Sequence, residues 1–243
     1  MAAAQDELGP GDVALGLMRV DRASPAALTR AVAALTPDEA ARAQRMRVEG
    51  ARAQFASARA LLRRMLTQRA GGAPADWRFR ADARGRPVLE GDDPAFVFSL
   101  SHTDGLVACA LARCGEIGVD VERLAPAGDL PALARHAFSG PEAEAIAALT
   151  GEAQAERFFA CWTLREAYAK ARGLGFLLDP TGFAFDLGPP DAIRFLAAGM
   201  DDPRRWRFLR AAPTADTRLA LAVAAPLDLA TLAPEWTELE ACL

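Results

Sequence analysis

Between residues 24 and 70, small and apolar side chains recur at intervals of three and four, and this spacing predicts two helices. Thr36 is suited to cap the first, with Pro37 at its first position and Glu39 three residues beyond the cap. Gly50 reads as the break before the second helix. On that second helix Phe55, Ala58, Leu62 and Leu66 share one face, Arg52, Arg59 and Arg63 occupy others, and Gly71 and Gly72 end it. In the stretch WRFRADARGRPVLE, Gly85 marks a loop, and Pro87 denies its neighbourhood a place in a central strand. From residue 95 to 124 the period falls to two, predicting successive antiparallel strands with a tight turn at Asp104 and Gly105 and an interruption at Gly115. Residues 141–149 and 152–172 return to helical spacing, the latter closed by Gly173; residues 177–193 read as a loop, and 205–225 as strand, turn and strand.

An Arg-bearing amphipathic helix followed by strand, turn and strand therefore occurs twice, at 52–111 and at 157–225. The expectation is an α+β fold of two similar subdomains related by pseudo-twofold symmetry, residues 1–113 and 114–243, with the active site in the cleft between them.

A chain of 243 residues, 51% hydrophobic, has ample material for a core. Its four cysteines form no CxxC pair, and only His102 and His136 could join them, which argues against a zinc site or a disulfide framework. The acidic N-terminus is unlike a signal peptide and no charge-free stretch has membrane-spanning length, so a cytoplasmic chain without membrane or nucleic-acid partners is expected. Charge changes the picture more. Residues 1–86 carry fifteen Arg against nine acidic residues, while 87–243 carry thirteen basic against twenty-three acidic. A basic half attracts phosphates and an acidic half concentrates a divalent cation, although two ordinary solvated faces would give the same counts. Lys170 is the single lysine in the chain, and a compact ammonium acts on a crowded oxyanion differently from a planar guanidinium.

In IGVDVERL, Asp120 and Glu122 stand at i and i+2 of a strand and so project from one face, with Val119 and Val121 turned to the core. Converging carboxylates suit magnesium, a hard cation that prefers oxygen ligands. Taken alone, such a pair is most often the wet face of a sheet. On the helix ERFFACWTLREAYAKARGLG, Phe158, Phe159 and Trp162 are core anchors, and Glu166 and Lys170 share a face at i and i+4. Taken alone, that pair is an exposed helix ion pair. Ser101 and His102 finish a strand before the Asp104–Gly105 turn, where both can donate to a phosphate. No Walker GxxxxGK[ST] and no GxGxxG is present.

Together SLSH at 99–102, GVDVE at 118–122 and WTLREAYAK at 162–170 followed by GLGF resemble, in order and spacing, the signatures of the Sfp-type 4'-phosphopantetheinyl transferases. The resemblance runs from about Thr36 to about Ala225. It implies the fold of that family and a holo-acyl-carrier-protein synthase type of reaction: 4'-phosphopantetheine moves from coenzyme A to a serine of an apo acyl or peptidyl carrier protein, and 3',5'-ADP leaves. It implies Asp120, Glu122 and Glu166 as ligands of magnesium or manganese, and Lys170 on the phosphates. It also implies coenzyme A contacts by Arg42, Arg52, Arg86, Ser101 and His102, and a monomer with an internal pseudo-dimer. Arg165 stands where the family commonly has lysine. The competing readings are a silent carrier-binding module of the same fold and another magnesium-dependent nucleotidyl or phosphoryl transferase.

Overall fold

The computed structural model describes residues 8–91, 96–113, 115–124, 128–175, 178–188, 191–197, 201–225, 227, 229 and 232–243. Two compact units emerge: residues 1–114 with 230–243, and residues 115–229. The expected division assigned everything after residue 113 to the second unit; the C-terminal segment packs with the first.

In the first unit, strand β1 (Val13–Arg19) leads through a 3-10 turn to helices α1 (Pro25–Ala33), α2 (Pro37–Gln44) and α3 (Glu49–Ala70). Ser24 caps α1, its hydroxyl accepting from the Ala27 amide at 3.2 Å. Thr36 and Glu39 form the capping box expected of α2. Where two helices were predicted over residues 24–70 there are three. The interruption falls before Val48, whose backbone is extended, while Gly50 lies inside α3. A short hairpin, β2 (Phe79–Ala81) and β3 (Pro87–Leu89), follows, with Gly85 at φ +79° in its turn and Pro87 opening the strand. Strands β4 (Val97–Thr103) and β5 (Leu106–Ala112) form the predicted hairpin about Gly105 at φ +78°. β5 also pairs antiparallel with β1, and β1 pairs in parallel with β11 (Glu235–Trp236) from the returning C-terminus. All of β5 is buried, and Leu61, Leu62 and Leu66 of α3 pack on this sheet with Met18, Val107 and Leu239.

In the second unit β6 (Ile117–Arg123) belongs to a different sheet from β4 and β5. It pairs antiparallel with β10 (Thr217–Ala224), which pairs with β9 (Trp206–Ala211). Helix α6 (Gly151–Arg172) lies against β6 and β10, and Gly173 at φ +60° ends it as predicted. Two short helices, α4 (Leu130–Ala137) and α5 (Gly140–Ala147), pack on α6 through Phe138, Ile146 and Phe158. The segment read as a loop contains a hairpin, β7 (Phe183–Asp186) and β8 (Ala192–Phe195), whose Phe183, Phe185 and Ile193 join Tyr168 and Trp206 in a second apolar cluster. Each unit thus sets a 22-residue helix against a sheet, mixed in the first unit through the parallel β1–β11 pair and antiparallel in the second. Among the described residues no helix is long and apolar enough to cross a membrane.

Candidate functional site

Gly118 brings the motif residues of β6 to α6. A methyl group built on its Cα would lie 2.5 Å from the Ala171 amide nitrogen and 3.0 Å from the Ala167 carbonyl carbon, with the Ala167 carbonyl oxygen nearer still. Only a residue without a side chain lets strand and helix main chains approach this closely. Ala167 and Ala171 are fully buried on the facing turns of the helix. A strand glycine beside small helix residues was a signal visible in the sequence, and the reading passed over it.

That approach sets Asp120 and Glu122 on one strand against Glu166 and Lys170 on the neighbouring helix. Val119 and Val121 are fully buried, as the alternation required, but Asp120 is buried too, at 3% exposure, so its charge needs a partner. Lys170 supplies one: its ammonium donates to Asp120 Oδ1 at 2.7 Å and to the Val119 carbonyl at 3.1 Å. Lys170 thus reaches from the helix to the strand, and its charge also acts on Glu166, its i, i+4 neighbour. In register, Asp120 faces Ala220 on β10, whose small side chain leaves room beside the carboxylate.

The Glu122 carboxyl is pushed up to a pKa of about 7: burial and then the Asp120 charge raise it, Lys170 and the Trp162 indole oppose the shift, and Glu166 adds to it. Glu166 is likewise pushed up, first by burial and then by Asp120, with Lys170 opposing. The three carboxylates are therefore close enough to disfavour one another's charge, and one lysine does not neutralise them. Among the described residues no three His, Cys, Asp or Glu side chains are gathered tightly enough, as they stand, to hold a metal ion. Trp162, a core anchor by the sequence, also lies near enough to Glu122 for its indole to favour the charged carboxylate. The indole does both: it stacks on Phe158 with ring centroids 5.9 Å apart.

Arg165, next to Glu166 in sequence, points away from this cluster. It is 6% exposed and pairs with Glu142, itself 2% exposed. It donates to the Pro180 and Phe183 carbonyls, each at 2.8 Å, and sits over the Phe183 ring at 4.3 Å. Glu142 in turn accepts from the Ser139 hydroxyl at 2.7 Å and the Phe185 amide at 3.0 Å. The Arg165 cation is thus part of a buried strut joining α5, α6 and β7.

The other predicted contact residues lie in the first unit. Ser101, buried, and His102, exposed, end β4 opposite Ala108 and Val107. Arg86 is exposed, its Nε 3.2 Å from Asp82 Oδ2 and its amide 2.9 Å from Asp82 Oδ1. Arg42 stacks over the Phe55 ring at 5.6 Å, and Arg52 Nε donates to the Met46 carbonyl at 2.8 Å, so both stand where α2 gives way to α3.

Comparison with known proteins agrees with this arrangement. Residues 116–224, which contain β6, α6 and the whole carboxylate cluster, match the model of the 4'-phosphopantetheinyl transferase superfamily. The chain is 34% identical over 196 residues to the 4'-phosphopantetheinyl transferase HetI of a Nostoc species, covering 79% of each protein. It is 31% identical over 108 residues to the 4'-phosphopantetheinyl transferase gsp of Aneurinibacillus migulanus, covering 44% of this chain and 43% of that one. It is 34% identical over 90 residues to the 4'-phosphopantetheinyl transferase AcpT of Salmonella typhi, covering 37% and 46%. A likeness extending over four-fifths of HetI, with the family's matched region spanning the acidic strand and its partner helix, establishes that this chain belongs to the 4'-phosphopantetheinyl transferase superfamily.

Proposed function

We propose that the chain transfers the 4'-phosphopantetheine group of coenzyme A to a serine hydroxyl of an apo carrier protein, with 3',5'-ADP as the leaving group. The observation that carries this reading is the cluster of Asp120, Glu122, Glu166 and Lys170 set by the contact of β6 with α6 inside the family-matched region.

The donor set suits magnesium: three hard carboxylates, two of them with proton affinity raised by burial and by the neighbouring Asp120 charge. Asp120, Glu122 and Glu166 are the residues that would hold the ion. When bound, it would supply positive charge at the pyrophosphate of coenzyme A, where negative charge builds up as the bond to the leaving group breaks. Lys170 is assigned to the phosphate oxygens; its ammonium already serves one oxyanion, that of Asp120. Glu166, directly or through a water, is the group to which we assign the proton leaving the serine hydroxyl, its pKa being raised by burial. Trp162 is assigned to steadying the charged form of Glu122 through its indole N–H. In the first unit, Arg42, Arg52, Arg86, Ser101 and His102 are assigned to the nucleotide and phosphates of coenzyme A.

The test is incubation with coenzyme A, magnesium and a panel of apo carriers from fatty-acid, polyketide and nonribosomal-peptide systems, read by intact mass. A carrier gaining one phosphopantetheine, with the gain abolished by chelator and nearly abolished by Glu166→Gln, supports the reading. Absence of transfer to every carrier, or full transfer in chelator, rejects it. Arg86→Ala should raise the KM for coenzyme A with little change in kcat; an unchanged KM removes Arg86 from the site.

A further inference from the structure

Away from the carboxylate cluster, the first unit contains a cavity of about 250 Å³. Four arginines line it: Arg30 from α1, Arg59 and Arg63 from α3, and Arg78 just before β2. Its remaining lining is Ala, Leu, Pro and Cys, without a carboxylate side chain among the described residues. Glu39 serves two of these guanidinium groups, Arg63 Nη2 at 2.8 Å and Arg59 Nε at 3.3 Å, and Glu240 lies near enough to Arg30 for their charges to act on one another.

Arg59 is the unusual member. It is 5% exposed, and its Nη1 has no hydrogen-bond partner. Unmet donors on a buried cation are costly, since the group has left water without replacing its hydrogen bonds. The guanidinium is held in this attitude by the Phe55 and Phe79 rings, each 5.2 Å from its centre. Burial lowers the Arg59 pKa to about 10; Glu39 opposes that shift, and the neighbouring Arg42 and Arg63 add to it. Four guanidinium groups thus gather about a cavity with few carboxylates beside it, and Arg59, one of its lining residues, carries a donor with no hydrogen-bond partner.

We propose that this cavity binds a small organic anion, whose phosphate or carboxylate head takes the donors of Arg59, Arg30 and Arg78 and whose short apolar part lies on the alanine lining. Guanidinium forks suit either head group through paired N–H donors. The volume falls below the roughly 300–1,000 Å³ typical of sites for drug-sized ligands, which favours a small anion. None of Arg42, Arg52, Arg86, Ser101 or His102 lines the cavity, although Arg42 shares the Phe55 ring with Arg59.

The test is isothermal titration of the full chain with inorganic phosphate and with butyrate, against sodium chloride of matched ionic strength. Arg59→Met would leave Glu39 with one partner and put folding at risk, so the deciding variant is the exposed pair Arg30→Ala with Arg78→Ala. Saturable binding of at least one anion, weakened about tenfold or more in that double variant, supports the site. The Arg42→Ala, Arg86→Ala double variant should bind the anion as the parent does. Three results each overturn the proposal: no binding beyond chloride, equal affinity in the Arg30, Arg78 variant, or loss of binding in the Arg42, Arg86 variant alone. Whether carrier modification occurs does not enter any of them, so this proposal and the transferase reading fail separately.

Discussion

Replacing Gly118 by alanine is expected to damage stability and chemistry together. The new methyl group would meet the main chain of α6, at 2.5 Å from the Ala171 nitrogen and closer still to the Ala167 carbonyl oxygen. An ordinary carbon contact needs roughly 3.5 Å, so strand and helix must separate by about 1 Å or more. No flexible side chain can yield in their place. Overpacking of this kind costs about 1–3 kcal/mol, and obstruction by backbone on a fully buried face puts Gly118→Ala at or above the upper end. For a chain of this size that corresponds to a fall in Tm of about 6–12 °C. The same displacement separates Asp120, two residues along β6, from Lys170 on α6, and a 1 Å misplacement of reacting groups can cost about a hundredfold in rate. The assays are differential scanning fluorimetry and the initial rate of carrier modification by mass spectrometry. Gly140→Ala is the control, because that helical glycine has open space around it; it should leave Tm unchanged or slightly raised. A Gly118→Ala chain that melts within about 2 °C of the parent and works at the parent's rate would refute the claim that this contact builds the site.

Arg165→Ala should destabilise the chain by about 3–5 kcal/mol, seen as a lower urea midpoint, because Glu142 would be left buried without its cation. Arg165→Lys should also lose stability, since a single ammonium cannot serve Glu142 and two carbonyls in the guanidinium's geometry; a parental midpoint would show the strut to be dispensable. Trp162→Phe keeps the stack on Phe158 and removes the donor to Glu122, so magnesium dependence of the rate should shift to about 10–100-fold higher concentration, and an unshifted dependence would exclude the indole as a positioning group. Burial pushes the Cys161 thiol up to about 12 and the Cys242 thiol to about 11, and raises Cys109 as well. A thiol whose pKa is raised holds less thiolate at any lower pH, so at pH 8 iodoacetamide should leave all three unmodified in the native chain and label them in denaturant. Rapid native labelling of Cys109 would contradict its complete burial.

Contiguous features were legible in the sequence and relational ones were not. The capping box at Thr36 and Glu39, the Asp104–Gly105 turn and the Gly173 cap each depend on residues a few positions apart, and each is present. The three motifs led to the family because their residues are adjacent in sequence. Strand partners are a different kind of information. β6 follows the β4–β5 hairpin yet pairs with β10 about a hundred residues later, and nothing in the alternation of IGVDVE names that partner. The C-terminal return onto β1 and the β7–β8 hairpin escaped for the same reason. Helical spacing placed Glu166 and Lys170 on one face but could not show that the lysine also reaches β6, where the buried charge of Asp120 receives it. Arg165 shows the reverse case: a cation at a motif position invites a phosphate role, and its buried acceptors, Glu142 and two carbonyls, become visible only once α5 and β7 are in place.

The central claim is that the acidic residues of β6 and α6 share one divalent cation during transfer. Its most direct test is anomalous diffraction from crystals of the chain grown with manganese and coenzyme A. A single strong peak bonded to carboxylate oxygens of Asp120, Glu122 and Glu166 and to the pyrophosphate is the predicted result. A fully bound coenzyme A whose pyrophosphate carries no metal peak, or carries one held by other side chains, would contradict it.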